Sequence, residues 1–352
     1  MSAGRLVGLL LGGLALYLAL RGVSLAGLGD AFARMHLVYL VPAVACYVGQ
    51  QVVRALRQLV LVRAVQPAAT LREQLVILWI GLFCINVFPA RLGEGVRPVL
   101  WFERDRVPLP AGFGIVVAER TLDLVGLMVA LVLVVAFAQV PDLASAETGG
   151  RDLASIVRLS AMVVLPIILG VLVAGVRFGH PLLAGLAARR ARLGAGRVGR
   201  FADVVLRLGA SFVDGFEALR RPAALAAAML LTTVHFACMG GIAVSLAYAF
   251  DLQRWIGFFE GLGVLCITML GIALPAPPAF AGVFEGAVRA GLAVFGVRGA
   301  GLDAPAFGFA IVLHGGFFVL HGLVTAYFLA TEGISLRGSL ARVRGTAPAP
   351  PP

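Results

Sequence analysis

Long apolar blocks, divided by short arginine-rich segments, run through the whole chain. A helix crosses the hydrocarbon of a bilayer with roughly 17–25 predominantly apolar residues. Leu37–Leu61, Ala111–Ala138, Ile156–Val176, Ala223–Phe250 and Ala306–Leu329 have that character. Leu6–Leu20 is shorter and follows Arg5, as the core of a signal peptide would. With so many spans behind it, the block reads as an uncleaved first helix. A span must satisfy its own backbone polar groups, which leaves helices and closed barrels. Blocks this long and continuous lack the alternation of barrel strands. The pattern predicts an all-α, polytopic integral membrane protein with about six full spans.

Two regions depart from that pattern. Leu75–Phe88 has about 14 residues, too few for a comfortable crossing. Arg63 and Arg72 precede it, and Arg91, Arg97, Arg104 and Arg106 follow. Arginine on both flanks puts both flanks in the cytoplasm, so the segment reads as a re-entrant hairpin broken at Pro89 and Gly93. The second region is Trp255–Leu274, a break at Pro275, Pro277 and Pro278, then Phe280–Val297, with Gly282 just behind the break. Arg337, Arg342 and Arg344 place the C-terminus in the cytoplasm and require an even number of crossings. Either Phe280–Val297 crosses fully, or the two halves form a hairpin entering from outside. The second arrangement mirrors the first hairpin. Oppositely entering broken helices belong to inverted-repeat transporters, whose site lies between them near the midplane.

The loop carrying Asp142, Glu147, Arg151 and Asp152 is net acidic and therefore expected outside. Residues 177–222 form a basic cytoplasmic loop. Within it Phe201, Val204, Val205, Leu208, Phe212, Phe216 and Leu219 recur at helical spacing, opposite Arg200, Asp203, Arg207 and Asp214. That pattern predicts an amphipathic helix lying in the membrane interface. Gly308, Gly315 and Gly322, seven apart, predict a small-residue seam along the last span. Residues 1–332 thus form one transmembrane domain, and 333–352 a Pro/Ala-rich tail expected to be disordered. Both termini are expected in the cytoplasm.

Composition agrees: hydrophobic residues make up 60% of the chain and charged residues 13%, about half the share usual in soluble domains. The net charge of +11 sits mainly in loops beside apolar blocks, which suits anionic lipid headgroups rather than nucleic acid. All 29 basic residues are arginine. Without lysine there is neither a Walker A loop nor a lysine Schiff base, and self-powered ATP hydrolysis is excluded. Cys46, Cys84, Cys238 and Cys266 each sit alone in apolar blocks, read as packing residues. No metal-ligand or triad spacing occurs, so no catalytic residue, metal or cofactor is expected. His235, His314 and His321 lie in apolar blocks and are read as interhelical hydrogen-bonding groups.

Charges that the bilayer should exclude are the candidates for function, since each costs roughly 2.5–3.5 kcal/mol at a span centre on insertion scales. One cluster is Asn86, Arg91, Glu94 and Arg97 around the first break; a second is Glu119, Arg120 and Asp123 in the long span. Glu119 and Asp123, four apart, share a helix face. The third is Glu285 with Arg289 behind the proline-rich break, and Glu260 stands alone in its block. These charges either neutralise one another, Arg120 with Glu94 for instance, or line a polar cavity. An arginine fork can grip two oxygens of a phosphate.

The order of these residues resembles a known family. Asn86-Val-Phe-Pro89-Ala-Arg91-Leu-Gly93-Glu94-Gly-Val-Arg97 and Glu119-Arg120-Thr-Leu-Asp123 are similar to the N-x-x-P-x-R-x-G-E-x-x-R and E-R-x-x-D signatures of the lysylphosphatidylglycerol synthase transmembrane-domain family. Leu274-Pro275-Ala-Pro277-Pro278 through Gly282 and Glu285 resembles its second motif, with Ala279 and Phe280 where small or glycine residues are usual. The resemblance implies a flippase-like fold in a bacterial cytoplasmic membrane that moves a lipid between leaflets. It implies no lysine transfer, because no aminoacyl-transferase region follows. Three functions stay open: a lipid translocase acting on an anionic phospholipid or a polyprenyl- or hopanoid-type lipid; a non-transporting subunit that recruits a lipid-modifying enzyme through Arg189, Arg190 and Arg192; and an intramembrane enzyme. Membrane lipids are the expected partners, and a homo-oligomer is also open.

Overall fold

In a computed structural model, residues 24–87, 93–139, 170, 181–188, 197–272, 278–299 and 301–334 are described, and all regular structure among them is helical. The block Leu6–Leu20, the block Ile156–Val176 apart from Gly170, the acidic loop, Pro89, Arg91, Pro275, Pro277, the arginines at 189, 190 and 192, and the tail from 335 lie outside the described residues.

A short helix, α1 (Leu25–Ala33), leads through a 3-10 turn into α2 (Leu40–Val62). Next come α3 (Leu71–Val87), α4 (Val96–Asp105) and α5 (Leu109–Phe137). In the second half are α6 (Arg197–Asp214), α7 (Glu217–Arg220), α8 (Pro222–Ala249), α9 (Phe258–Gly271), α10 (Val283–Val294), α11 (Asp303–Ile311) and α12 (Phe317–Glu332). Among the described residues, four stretches are long and apolar enough to cross a membrane: Leu37–Val62, Leu109–Phe137, Pro222–Ala249 and Asp303–Glu332. Prolines open two of them, at Pro110 and Pro222, in first-turn positions where a missing N–H leaves no bond unmade. Side chains such as Val44 and Val48 on α2, Leu124 and Val132 on α5, and Val319 and Leu323 on α12 remain exposed. So large an apolar exterior suits hydrocarbon rather than water.

The two broken regions are hairpins of short limbs. In the first, a Cβ on Gly93 would lie 2.2 Å from the backbone of Ile85, and one on Gly81 would strike Arg97. Near the open end Arg104 meets Glu73 at 2.5 Å. Together these contacts align α4 antiparallel to α3. In the second, Gly271 abuts Ala287, Gly291 abuts Val264 and Gly263 abuts Phe295, so α10 returns along α9. At 14 and 12 residues, the limbs reach only about 21 and 18 Å.

The hairpins open toward opposite ends of the bundle. Glu332, the last residue of α12, bonds Arg72 and Arg104 at 2.7 Å each, at the open end of the first hairpin. At the other end Phe137 stacks on Phe259 and the Gln139 amide donates to Glu260. Their tips meet, because α3 packs against the Pro278–Phe280 turn.

Three sequence expectations need correction. Glu260 is not within a span: α9 begins at Phe258, and Glu260 closes its N-terminus by accepting from the Gly257 amide at 3.2 Å. The glycine seam is not continuous: Gly308 faces Phe250 and Gly322 faces Phe83, but Gly315 has nothing within 4 Å. A π-helical turn at Val312–Gly316 lies between α11 and α12. It turns the helix out of phase, so a seven-residue spacing no longer marks one face. The amphipathic helix is shorter than its pattern suggested, because Phe216 and Leu219 lie beyond the end of α6 and are buried in one apolar cluster with residues of α2–α5. Val204, Val205 and Leu208 on α6 stay exposed.

Candidate functional site

Where the two tips meet, a cavity of about 340 Å³ opens among α2, α3, α5, α8 and α12. Its walls differ in chemistry. From the first half come Gln50, Gln51, Arg54, Asn86, Glu94, Arg120 and Asp123. The second half contributes mainly apolar side chains, including Met269, Phe280, Phe284, Phe317 and Phe318, with three histidines among them. One polar wall facing one oily wall is the lining that an amphiphile needs.

Paired charges make up most of the polar wall. Arg120 donates to both oxygens of Glu94, at 2.8 and 3.1 Å, and lies 3.6 Å from Asp123. Asp123 also meets Arg57 at 2.6 Å, and Arg57 donates to Thr232 at 3.0 Å. Arg54 is different. Among the described residues it makes no hydrogen bond or ion pair within contact distance, although it lines the cavity. A guanidinium has five N–H donors and cannot shed its charge, so this one is left to a ligand or to water.

Arg97 and Glu119 lie outside the cavity. They pair at 2.6 Å with both side chains buried, between α4 and α5. Arg97 also donates to Gln58 and lies over the Trp101 ring. Gln58 donates to Gln74 at 2.8 Å, and Gln74 in turn accepts from Trp101 and donates to Asp105. This network fastens the first hairpin to α2 and α5. Glu119 meets Arg97 on α4, while Asp123, one turn further along α5, meets Arg57 on α2 and reaches the cavity.

Glu285 lies behind the oily wall. Its Oε2 accepts from the Gly282 amide at 2.7 Å, closing the start of α10, and its Oε1 lies 2.7 Å from His314 Nδ1. Gly282 has φ 80°, a conformation that glycine adopts freely. The break before it holds Ala279 and Phe280 at φ 57° and 54°, so the two departures from the usual motif fall on left-handed backbone. Arg289 meets Asp303 at 2.8 Å. His321 bonds the Tyr47 hydroxyl and the Trp79 carbonyl, each at 2.8 Å, the interhelical bonding expected of it. Nothing in the described residues groups three metal-ligating side chains.

Sequence reasoning therefore found Asn86, Glu94, Arg120 and Asp123 on the cavity, and missed Arg54, Gln50 and Gln51. A signal was present. Gln50, Gln51, Arg54, Arg57 and Gln58 recur at helical spacing, a polar stripe on a span, but arginines near a span's end read as topological flanks.

The family model for the lysylphosphatidylglycerol synthase transmembrane region matches residues 5–315. The chain belongs to that family. It is an integral, multi-pass membrane protein, and the match is to the family's membrane region, with no aminoacyl-transferase domain found. No curated protein and no solved structure matches the chain.

Proposed function

We propose that this member of the lysylphosphatidylglycerol synthase transmembrane-region family is a lipid translocase that takes an anionic lipid head into the cavity between its two hairpins. The lipid is an anionic phospholipid or a polyprenyl- or hopanoid-type lipid, and its tail stays against the oily wall and the hydrocarbon outside. On this reading the first hairpin enters from the cytoplasm and the second from the far side, as in an inverted repeat with its site at the midplane. The end carrying Arg63, Arg72, Arg104 and Arg221 faces the cytoplasm by the positive-inside rule.

The observation that carries the reading is Arg54. Among the described residues Arg57, Arg97 and Arg120 each pair with a carboxylate at contact distance, whereas Arg54 feels Asp123 only as a longer-range charge, so its fork is open to an anionic head. Asn86, Gln50 and Gln51 supply neutral donors beside it. The role of Arg120 is to hold Glu94 and Asp123 in place and to lend charge to the same space.

Purified protein in phosphatidylcholine vesicles with a trace of fluorescent phosphatidylglycerol tests this. Wild type should move the tracer between leaflets, and Arg54→Gln should slow it at least tenfold while unfolding at a similar temperature. Wild type no faster than empty vesicles would end the translocase reading. A rate unchanged by both Arg54→Gln and Arg120→Ala would end the assignment of this cavity.

A further inference from the structure

Three histidines line the cavity, and they are not equivalent. His321 has both ring nitrogens engaged: Nε2 faces the Trp79 carbonyl, so it carries a proton, and Nδ1 is hydrogen-bonded to the Tyr47 hydroxyl. That ring has no free nitrogen. His235, on α8, lies beside Arg54 and Asp123 in the polar wall. Of the three, His314 has a carboxylate at hydrogen-bond distance, with Nδ1 2.7 Å from Glu285 Oε1.

Three features of His314 suit a group that takes up and releases one proton. A carboxylate on Nδ1 fixes the tautomer and the orientation of the ring, leaving Nε2 as the nitrogen turned away from Glu285. The ring stacks on Phe284, centroids 4.3 Å apart, and an aromatic face attracts a cation. Nε2 has no hydrogen-bond partner among the described residues, while the side chain keeps 16% of its surface accessible. The π-helical turn Val312–Gly316 presents the ring there; such turns gather at functional sites.

We infer that the protein is a proton–lipid symporter in which His314 carries the proton and Glu285 positions it. This rests on the translocase reading and deepens it. Nε2 of neutral His314 takes a proton from water on the side where lipid enters. The imidazolium and the lipid's single negative charge then occupy one cavity, and their charges cancel. On the other side Nε2 returns the proton to water and the anion leaves with it. No bond other than N–H forms or breaks, and no net charge moves.

The surrounding charges do not supply this function themselves. On α10, Arg289 is held by Asp303. On α5 and the 93–95 turn, Arg120, Asp123 and Glu94 are bound to one another. The titratable or charged groups that α2 turns to the space are Tyr47, already bonded to His321, and Arg54, permanently charged; Gln50 and Gln51 beside them are neutral. The lining residues of α3 and α9 carry no group that titrates near neutrality.

The test uses the same vesicles with a one-unit pH difference across the membrane and an internal pH dye. An electroneutral symport of one proton with a monoanion should enrich phosphatidylglycerol on the alkaline side by up to about tenfold, since one pH unit is a factor of ten in proton activity. Internal pH should change with lipid movement, and an imposed membrane potential should have no effect. His314→Gln should abolish the enrichment whatever its rate, and its movement of an uncompensated anion should follow the potential. Glu285→Gln, which keeps a hydrogen-bonding group, should shift the pH midpoint of transport to lower pH. Lipid movement in wild type without enrichment or pH change overturns the symport and leaves the translocase reading standing. Enrichment that survives His314→Gln overturns the assignment of His314. No lipid movement at all overturns both readings together.

Discussion

The two hairpins solve the same problem, turning a short apolar helix back on itself within the bundle, with different physics. The first is held by buried charge: Glu119, Arg97, Gln58, Gln74 and Trp101 form one connected network across α2 to α5. The second is held by close approach. Gly263, Gly271 and Gly291 let α9 and α10 touch with little side chain between them, and glutamates close both helix starts. Polar networks in a low-dielectric setting fail badly when one member is removed. Close packing fails by a smaller step for each added methyl. Stability of the first hairpin should therefore depend on pairs of residues, and that of the second on single positions.

That contrast can be broken by measurement. Arg97→Ala leaves the Glu119 carboxylate buried without its partner and should cost about 3–5 kcal/mol, read as a large fall in unfolding temperature in detergent. Arg97→Leu combined with Glu119→Leu should restore most of it; a double variant as unstable as the single one would mean that the charge pair is not what fastens the hairpin. In the second hairpin, Gly291→Ala puts a Cβ 3.0 Å from the Val264 backbone. Overpacking of that kind costs about 1–3 kcal/mol, with no second substitution on α9 that rescues by charge. The smallest effect has the opposite sign. Ala279 sits at φ 57°, and Ala279→Gly should stabilise by about 1 kcal/mol, because the left-handed conformation is strained for a side chain and free for glycine. A loss of stability there would show that the alanine methyl matters more than its backbone.

Much of the architecture was legible because membrane physics acts on runs of residues. A helix of apolar side chains is visible wherever it lies in the chain, and so are arginines at its ends. The first break was equally clear, because a proline and a glycine, Pro89 and Gly93, follow a block too short to cross; a Cβ added at Gly93 would lie 2.2 Å from the Ile85 backbone. The candidate site was legible in part. Glu119 and Arg120 are neighbours in sequence, yet one faces Arg97 in the dry network and the other faces the cavity. An α-helix turns about 100° per residue, so a motif names both without saying which one looks inward. Arg54 was hidden for another reason: near a span's end an arginine belongs to the topology signal until its partners are known.

Sequence alone determined the membrane-spanning helical character, the existence of two interruptions and the family, because each follows from residue types in order. Tertiary structure decided which charges are spent on one another. Arg57, Arg97 and Arg120 found carboxylates and Arg54 did not, an outcome set by distances of a few ångströms between helices far apart in the chain. Coulomb attraction and hydrogen bonding fall off over that range, and no local pattern encodes it.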